Sequence, residues 1–283
     1  MVEGAELLSV AFEAGAPIES VYVAPEGRAN PSVAEVLDRV FASGVRVFDL
    51  APEVIARVAD TVTPQPVLAV VGFTPARLPE VMGASTVMVL VDVRDPGNAG
   101  TMIRTADAAG VDAVICCDGS VDPTNPKTVR ASAGSLFHVP VVAGGEAREV
   151  IEALRTGGFT TVGAVARDGT DYTSFDWDRP VALVFGNEAS GLEETLRDAL
   201  DHCVSIPMVG RAESLNVSVS AAVLCFEVLR HRDTTDRSRR PSPRGADVRT
   251  ASGGGRPSTI SDMDTAPTDP AGRTRGPAEG GAG

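Results

Sequence analysis

Six short apolar runs, most of them separated by helix-patterned segments, organise residues 87–206. They are Val87–Val93, Ala113–Cys117, Val139–Val142, residues 159–165, Val181–Phe185 and residues 203–206. Runs of this length that are apolar on both faces suit strands buried on both sides. Helical patterns fall at Ala99–Ala109 and at residues 125–133, 146–156 and 193–200, and a long final helix closes the series. Strands that alternate with helices build a mostly parallel sheet covered on both faces. Ligands of such sheets bind outside the carboxyl ends of the strands, so the loops after these runs are where chemistry is expected.

A smaller α/β unit precedes this series. The sequence predicts a helix over residues 3–15, a strand over Ile18–Val23 and a helix over Ser32–Ser43 that Gly44 closes. A strand at Val45–Phe48, a helix at 52–59 and a buried strand at 67–71 follow. These divide the chain into a small domain at residues 1–72, a linker at 73–84 with Pro75 and Pro79, and a larger domain at 85–231. From residue 232 the sequence turns to Gly, Pro, Ser, Thr and Arg with almost no large apolar side chains. Such a segment buries too little surface to offset its chain entropy, so residues 232–283 are expected to be a disordered tail.

Charge and cysteine usage narrow the function classes. The net charge is −13; residues 231–283 hold nine Arg and seven acidic residues, leaving 16 basic and 31 acidic residues in 1–230. A polyanionic partner must therefore meet a local basic patch and not a global field. Lys127, the single lysine, lies near Arg130. No run reaches the roughly 18 apolar residues of a membrane span, and the first residues carry no basic or apolar signal segment. Cys116 and Cys117 are adjacent while Cys203 and Cys225 lie apart, which makes neither a C-x-x-C pair nor a disulfide framework. His138, His202 and His231 have no metal-ligand spacing and read as structural or exposed. The expectation is a reduced, cytoplasmic protein with no metal and no membrane contact.

Three loops carry polar residues that packing alone does not require. In Asp95-Pro-Gly-Asn-Ala-Gly-Thr-Met-Ile-Arg104, Asn98 is a candidate helix cap and Gly100 admits a close backbone, with Arg104 one turn further on. In Leu183-Val-Phe-Gly-Asn-Glu-Ala-Ser-Gly191, Gly186 admits a close approach at a strand end and Glu188 brings a carboxylate. The third stretch starts as a short strand that Pro207 stops, with Ser214 expected to cap the final helix. That helix is expected to pack through Val219, Val223, Phe226 and Leu229. Each loop alone also reads as ordinary: a surface ion-pair arginine, a turn with a helix-starting acid, a cap. None is a G-x-G-x-x-G or Walker phosphate loop.

Together, in this order, the loops are far more specific. Asn98-x-Gly100-x-x-x-Arg104, Gly186-Asn-Glu188-x-x-Gly191, Ile206-Pro-Met208 and Ser214-Leu-Asn216-Val-Ser218 resemble the SpoU (TrmH-like) RNA 2′-O-ribose methyltransferases, over residues 87–230. Residues 123–137 look like that family too. Residues 1–71 resemble its small substrate-recognition domain, similar to ribosomal protein L30e. Val2-Glu-Gly matches an interior motif of that domain, whose usual basic leader is missing here, so the domain reads as shortened at its N-terminus. The resemblance implies a SPOUT-type, mostly parallel α/β domain with a C-terminal trefoil knot. It also implies a homodimer with the active site at the subunit interface, and S-adenosylmethionine as methyl donor.

By family position, Gly186, Ile206, Met208 and Leu215 contact the cofactor, and Arg104 acts on the ribose 2′-hydroxyl. Asn98, Glu188, Ser214 and Asn216 hold Arg104 and the ribose. Lys127, Arg130 and Arg211 are candidates for RNA phosphate contacts. The expected reaction is methyl transfer to a ribose 2′-oxygen of structured RNA, 23S ribosomal RNA first. Transfer RNA, or a ribosomal adenosine whose methylation confers antibiotic resistance, is the alternative target. A non-catalytic RNA-binding assembly factor competes with these on the acidic core and short N-terminus. An NAD-type dehydrogenase is disfavoured by the absence of a dinucleotide loop.

Overall fold

The computed structural model describes residues 1–59 and 63–239. The first sheet belongs to the small unit. Its elements are β1 (Val2–Glu3), α1 (Ala5–Glu13), β2 (Ile18–Val23), α2 (Pro25–Arg28), α3 (Pro31–Ala42), β3 (Arg46–Asp49), α4 (Pro52–Val58) and β4 (Val67–Val71). The sheet order is β1-β4-β2-β3, with β2 and β3 parallel and the other pairs antiparallel. Glu3, expected as the start of a helix, instead forms a strand with Val2 on Leu68 and Ala69. Gly4, at φ 97°, turns the chain into α1. Asn30 caps α3 by accepting from Ser32 N at 3.0 Å, with Pro31 in the first turn. Val33, Val36, Leu37 and Val40 of α3 are buried, at helical spacing, and belong to the same core as Val21 and Val23.

The second sheet holds β5 (Thr86–Leu90), β6 (Ala113–Cys116), β7 (Val141–Ala143), β8 (Thr160–Val165), β9 (Thr170–Asp171), β10 (Val181–Phe185) and β11 (His202–Ser205). Its order is β7-β6-β5-β10-β8-β11-β9, and every pairing is parallel. The helices are α5 (Pro96–Ala108), α6 (Pro126–Ala131), α7 (Ala147–Thr156), α8 (Glu194–Arg197) and α9 (Val217–Arg239). Strand period 2 divides each apolar run between two layers. Met88, Leu90, Val114, Leu183 and Phe185 enter one core with Met102, Ile103, Leu224 and Val228 of α5 and α9. Val87, Val89, Ile115, Ala182 and Val184 enter the other with Ile151, Leu154 and Leu196 of α7 and α8. The unbroken apolar runs follow from this two-sided burial.

Several boundaries differ from the sequence reading. The helix expected over 125–133 ends at Ala131 and gives way to a 3-10 turn at Ser135–Phe137; the helix expected over 193–200 is the single turn α8. Residues 73–84 are packed against the large sheet: Ala76 N donates to Val141 O at 2.9 Å, and Val81 is buried in its core. Helix α9 runs on to Arg239, beyond the expected tail start at 232. Arg232 helps to hold it, donating to Ser85 O at 2.8 Å and to Thr86 Oγ1. The rest of the expected tail, 240–283, lies outside the described residues. The face of α9 also differs. Ala221, Leu224, Cys225 and Val228 are its buried apolar residues, whereas Val219 and Phe226 are 46% and 48% exposed. Among the described residues no helix is long and apolar enough to cross a membrane.

Two features of the fold place the site. The strand order reverses between β5 and β10, and such a switch opens a crevice at the carboxyl ends. The chain after β11 must then return past the ends of β8 and β10 to lay α9 against α5.

Candidate active site

Asp95, and not Asn98, caps α5: its carboxylate accepts from Asn98 N at 2.8 Å. That frees the Asn98 side chain, and it becomes the hub of the crevice. Asn98 Nδ2 donates to Glu188 Oε1 at 3.2 Å, and its Oδ1 accepts from Asn216 Nδ2 at 3.0 Å. Three loops far apart in sequence are thereby tied by one asparagine. Glu188 also accepts the backbone N–H groups of Asp95 at 3.0 Å and Arg94 at 3.3 Å. Partial burial would raise the Glu188 carboxyl, but these hydrogen bonds outweigh it and hold the group below the ordinary glutamate value. Glu188 therefore stays ionised at neutral pH and serves as a fixed acceptor.

Asn216 is also the true cap of α9. Its Oδ1 accepts from Ser218 N at 2.9 Å and Ser218 Oγ at 2.6 Å, while its carbonyl accepts from Ser220 N. Ser214, expected to fill that role, is exposed in the preceding loop and makes no side-chain hydrogen bond among the described residues. Asn187 is the residue that the sequence reading passed over. Its Nδ2 donates to Asp92 O at 2.9 Å, and its Oδ1 accepts from Ala189 N and Ser190 N, fixing the loop after β10 against the loop after β5. Its place between Gly186 and Glu188 was the available signal. Gly100 admits a close backbone as expected; a Cβ there would lie 2.4 Å from Thr128 O of α6.

A cavity of about 350 Å³ opens between the loops after β8, β10 and β11. Gly186, Ile206, Met208, Ser214 and Leu215 all line it, so the structure brings these five together. Phe185, Leu192 and Leu224 add apolar wall, and Arg167, Asp168, Glu188 and Arg197 add charge. The volume and the mix of apolar walls with few polar groups suit a small organic ligand.

The structure does not bring Arg104 to this cavity. Arg104 is exposed on α5, in line with Thr101 and Ala108, and forms no hydrogen bond or ion pair among the described residues. Asn98, Glu188 and Asn216 are joined to one another and not to Arg104. Of the candidate phosphate contacts, Lys127 is exposed at the start of α6 and Arg211 is exposed in the loop after β11. Arg130 instead turns toward the small sheet, 4.0 Å from Glu3. Each histidine has a local partner: His138 lies 3.1 Å from Asp107, His231 3.3 Å from Asp178, and His202 packs edge-on against Phe175.

Comparison with known proteins adds an independent line. Residues 85–226 match the SpoU rRNA Methylase family, and residues 1–69 match the MRM3-like substrate binding domain. The 23S rRNA (guanosine(2553)-2′-O)-methyltransferase RlmP of Bacillus subtilis is 35% identical over 228 residues, covering 81% of this chain and 87% of that protein. Among solved structures, an AdoMet-bound rRNA methyltransferase from Sinorhizobium meliloti superposes with a TM-score of 0.72 at 32% identity, over 81% of this chain and 86% of that one. The SpoU methyltransferase AviRb from Streptomyces viridochromogenes, in complex with AdoMet, gives 0.71 at 32% identity, over 82% and 90%.

Proposed function

Because the chain belongs to the SpoU rRNA methylase family, we propose that it transfers a methyl group from S-adenosylmethionine to a ribose 2′-hydroxyl of 23S ribosomal RNA, in the cytoplasm. The observation that carries this reading is the convergence of the three loops on one cavity, with Asn98 bridging Glu188 and Asn216 at its edge. The B. subtilis relative, named for a 23S rRNA ribose, favours that RNA over transfer RNA.

The cavity fits the methyl donor. Ile206, Met208, Leu192 and Leu215 offer apolar walls to a neutral adenine. Bound there, S-adenosylmethionine supplies a methyl already activated on a sulfonium. The protein's task is then to align a 2′-oxygen with that methyl and to ease the loss of its proton. Arg104 has the chemistry to orient the hydroxyl and its neighbouring phosphate. A guanidinium has five N–H donors and no acceptor, so it serves as donor and countercharge and not as a simple base. Glu188, held ionised, fixes Asn98, and Asn98 fixes Asn216, so the rim keeps its shape before RNA arrives. Lys127 and Arg211 are the exposed cations proposed for phosphate contact.

Arg104 is outside its own cavity, and the exposed Val219 and Phe226 of α9 lie on the helix that packs against α5. This supports a homodimer in which Arg104 of one subunit serves the cavity of the other. The return of the chain past the ends of β8 and β10 supports a threaded, trefoil-knotted path for residues 207–239.

With purified protein, labelled S-adenosylmethionine and 23S rRNA lacking the modification, label is expected on a ribose. Arg104→Ala should slow transfer by about 100-fold or more while donor affinity, read by calorimetry, stays unchanged. Label on a base, or no transfer by wild type despite tight donor binding, would overturn the reading.

A further inference from the structure

Four charged side chains line the cavity, and two of them are already committed. Arg167 is paired with Glu213 at 3.3 Å, and Glu188 is held by Asn98 and two backbone amides. Asp168 and Arg197 remain. Neither side chain takes part in a hydrogen bond or ion pair among the described residues, and the two are not paired with each other.

Arg197 stands at the end of α8, where its Nε is fully buried and has no acceptor. A buried donor of a charged group left without a partner is costly, so the site is built for an acceptor that protein does not provide. Asp168 sits on left-handed backbone, at φ 61°, in the turn that leaves β8. The next residue locks this turn. A Cβ at Gly169 would lie 2.6 Å from Val204 C and 2.7 Å from Ser205 N, so the turn is pressed against β11. Left-handed backbone is uncommon outside glycine, and here the packing of Gly169 on β11 holds Asp168 in it at the cavity wall.

Two opposite, uncommitted charges in one cavity select a ligand class. A phosphate or other polyanion is repelled by Asp168, a simple cation by Arg197, and a neutral ligand without an acceptor leaves the buried Arg197 Nε unpaired. A zwitterion satisfies both, because an amino-acid terminus carries one carboxylate and one ammonium on the same carbon. We propose that Arg197 and Asp168 bind the amino-acid end of the methyl donor, the guanidinium taking the α-carboxylate and the Asp168 carboxylate taking the α-ammonium. The proposal rests on the cavity being the S-adenosylmethionine site. It gives the cavity a polar end, opposite in character to its apolar adenine wall, and so an orientation for the donor.

The test is calorimetry on the full chain with three probes. S-adenosylmethionine has both charges, its decarboxylated analogue only the ammonium, and 5′-methylthioadenosine neither. Arg197→Met, which keeps the aliphatic stem, should weaken S-adenosylmethionine by about 10- to 100-fold and leave the decarboxylated analogue unchanged. Asp168→Asn should weaken both amines and leave 5′-methylthioadenosine unchanged. Arg197→Lys should recover part of the loss, which separates lost charge from a damaged fold. Equal weakening of all three probes by Arg197→Met without that recovery, or no weakening of S-adenosylmethionine, overturns the proposal while the cavity remains the donor site. Wild-type protein that binds none of the three probes would instead sink the donor site itself.

Discussion

Gly186 has no room for a side chain. A Cβ there would come within 2.4 Å of the Gly191 backbone, because the loop after β10 folds back and pairs Asn187 with Gly191. The sequence marked Gly186 as a place of close approach, and the structure gives its neighbour as the loop's own return. Gly186→Ala must therefore open the loop that carries Asn187 and Glu188. A loss of more than about 2 kcal/mol in denaturant unfolding is expected, since backbone, and not a flexible side-chain end, would have to move. S-adenosylmethionine affinity should fall with it; unchanged stability and affinity would show that the loop tolerates reopening. The Asn98–Glu188–Asn216 chain was legible only as a set of polar residues. Which atoms meet depends on Asp95 taking the cap of α5 and releasing Asn98, a competition between two good capping residues that spacing does not decide.

Helix α9 shows the same limit at the scale of an element. Its existence was plain from its apolar spacing, but Ser214 and Asn216 are both good caps and only one starts the helix. The structure chooses Asn216, whose side chain reaches Ser218 N and still donates to Asn98. Asn216→Ala is expected to cost about 1 kcal/mol of stability from the cap alone. Ser214→Ala should remain within about 0.5 kcal/mol of wild type, as an exposed site without partners does. Urea midpoints compared across the two variants read this directly, and a reversed order would restore Ser214 as the cap. The strands were the most legible elements, since an apolar run buried on both faces has few alternatives. The two-residue β9 was not, and α8 was expected over 193–200 where only one turn forms, because neither holds enough residues to express a period.

At the scale of the molecule, the face of α9 that carries Val219 and Phe226 is left exposed. Val219 and Phe226 recur at helical spacing and remain 46% and 48% exposed, on a helix that packs against the helix of Arg104. If a second copy covers this face, Phe226→Glu should shift the protein from dimer to monomer in sedimentation equilibrium. It should also cost methyl transfer about 100-fold, as loss of Arg104 does, while the chain stays folded. A monomeric variant with full activity would disprove a shared site. The two sheets are also joined within the chain. Gly134, at φ 94°, lies where a Cβ would be 2.5 Å from Val10 of α1, and Arg130 approaches Glu3 of β1. The small unit is thus seated beside α6, the helix that carries Lys127 in its first turn.

By itself the sequence determined the two α/β units and the mostly parallel character of the second, because apolar period and residue type carry that information locally. That the three loops belong to one site followed from their joint resemblance to the family. Only the tertiary structure decided what those loops do to one another: Asn98 as hub, Asp168 and Arg197 left uncommitted in the cavity, and Arg104 turned away from it. The physical reason is that period tells which face of an element wants burial, but not against what. The stripe Val219, Val223, Phe226 asked for a partner, and the chain's own core had already been filled by Ala221, Leu224, Cys225 and Val228.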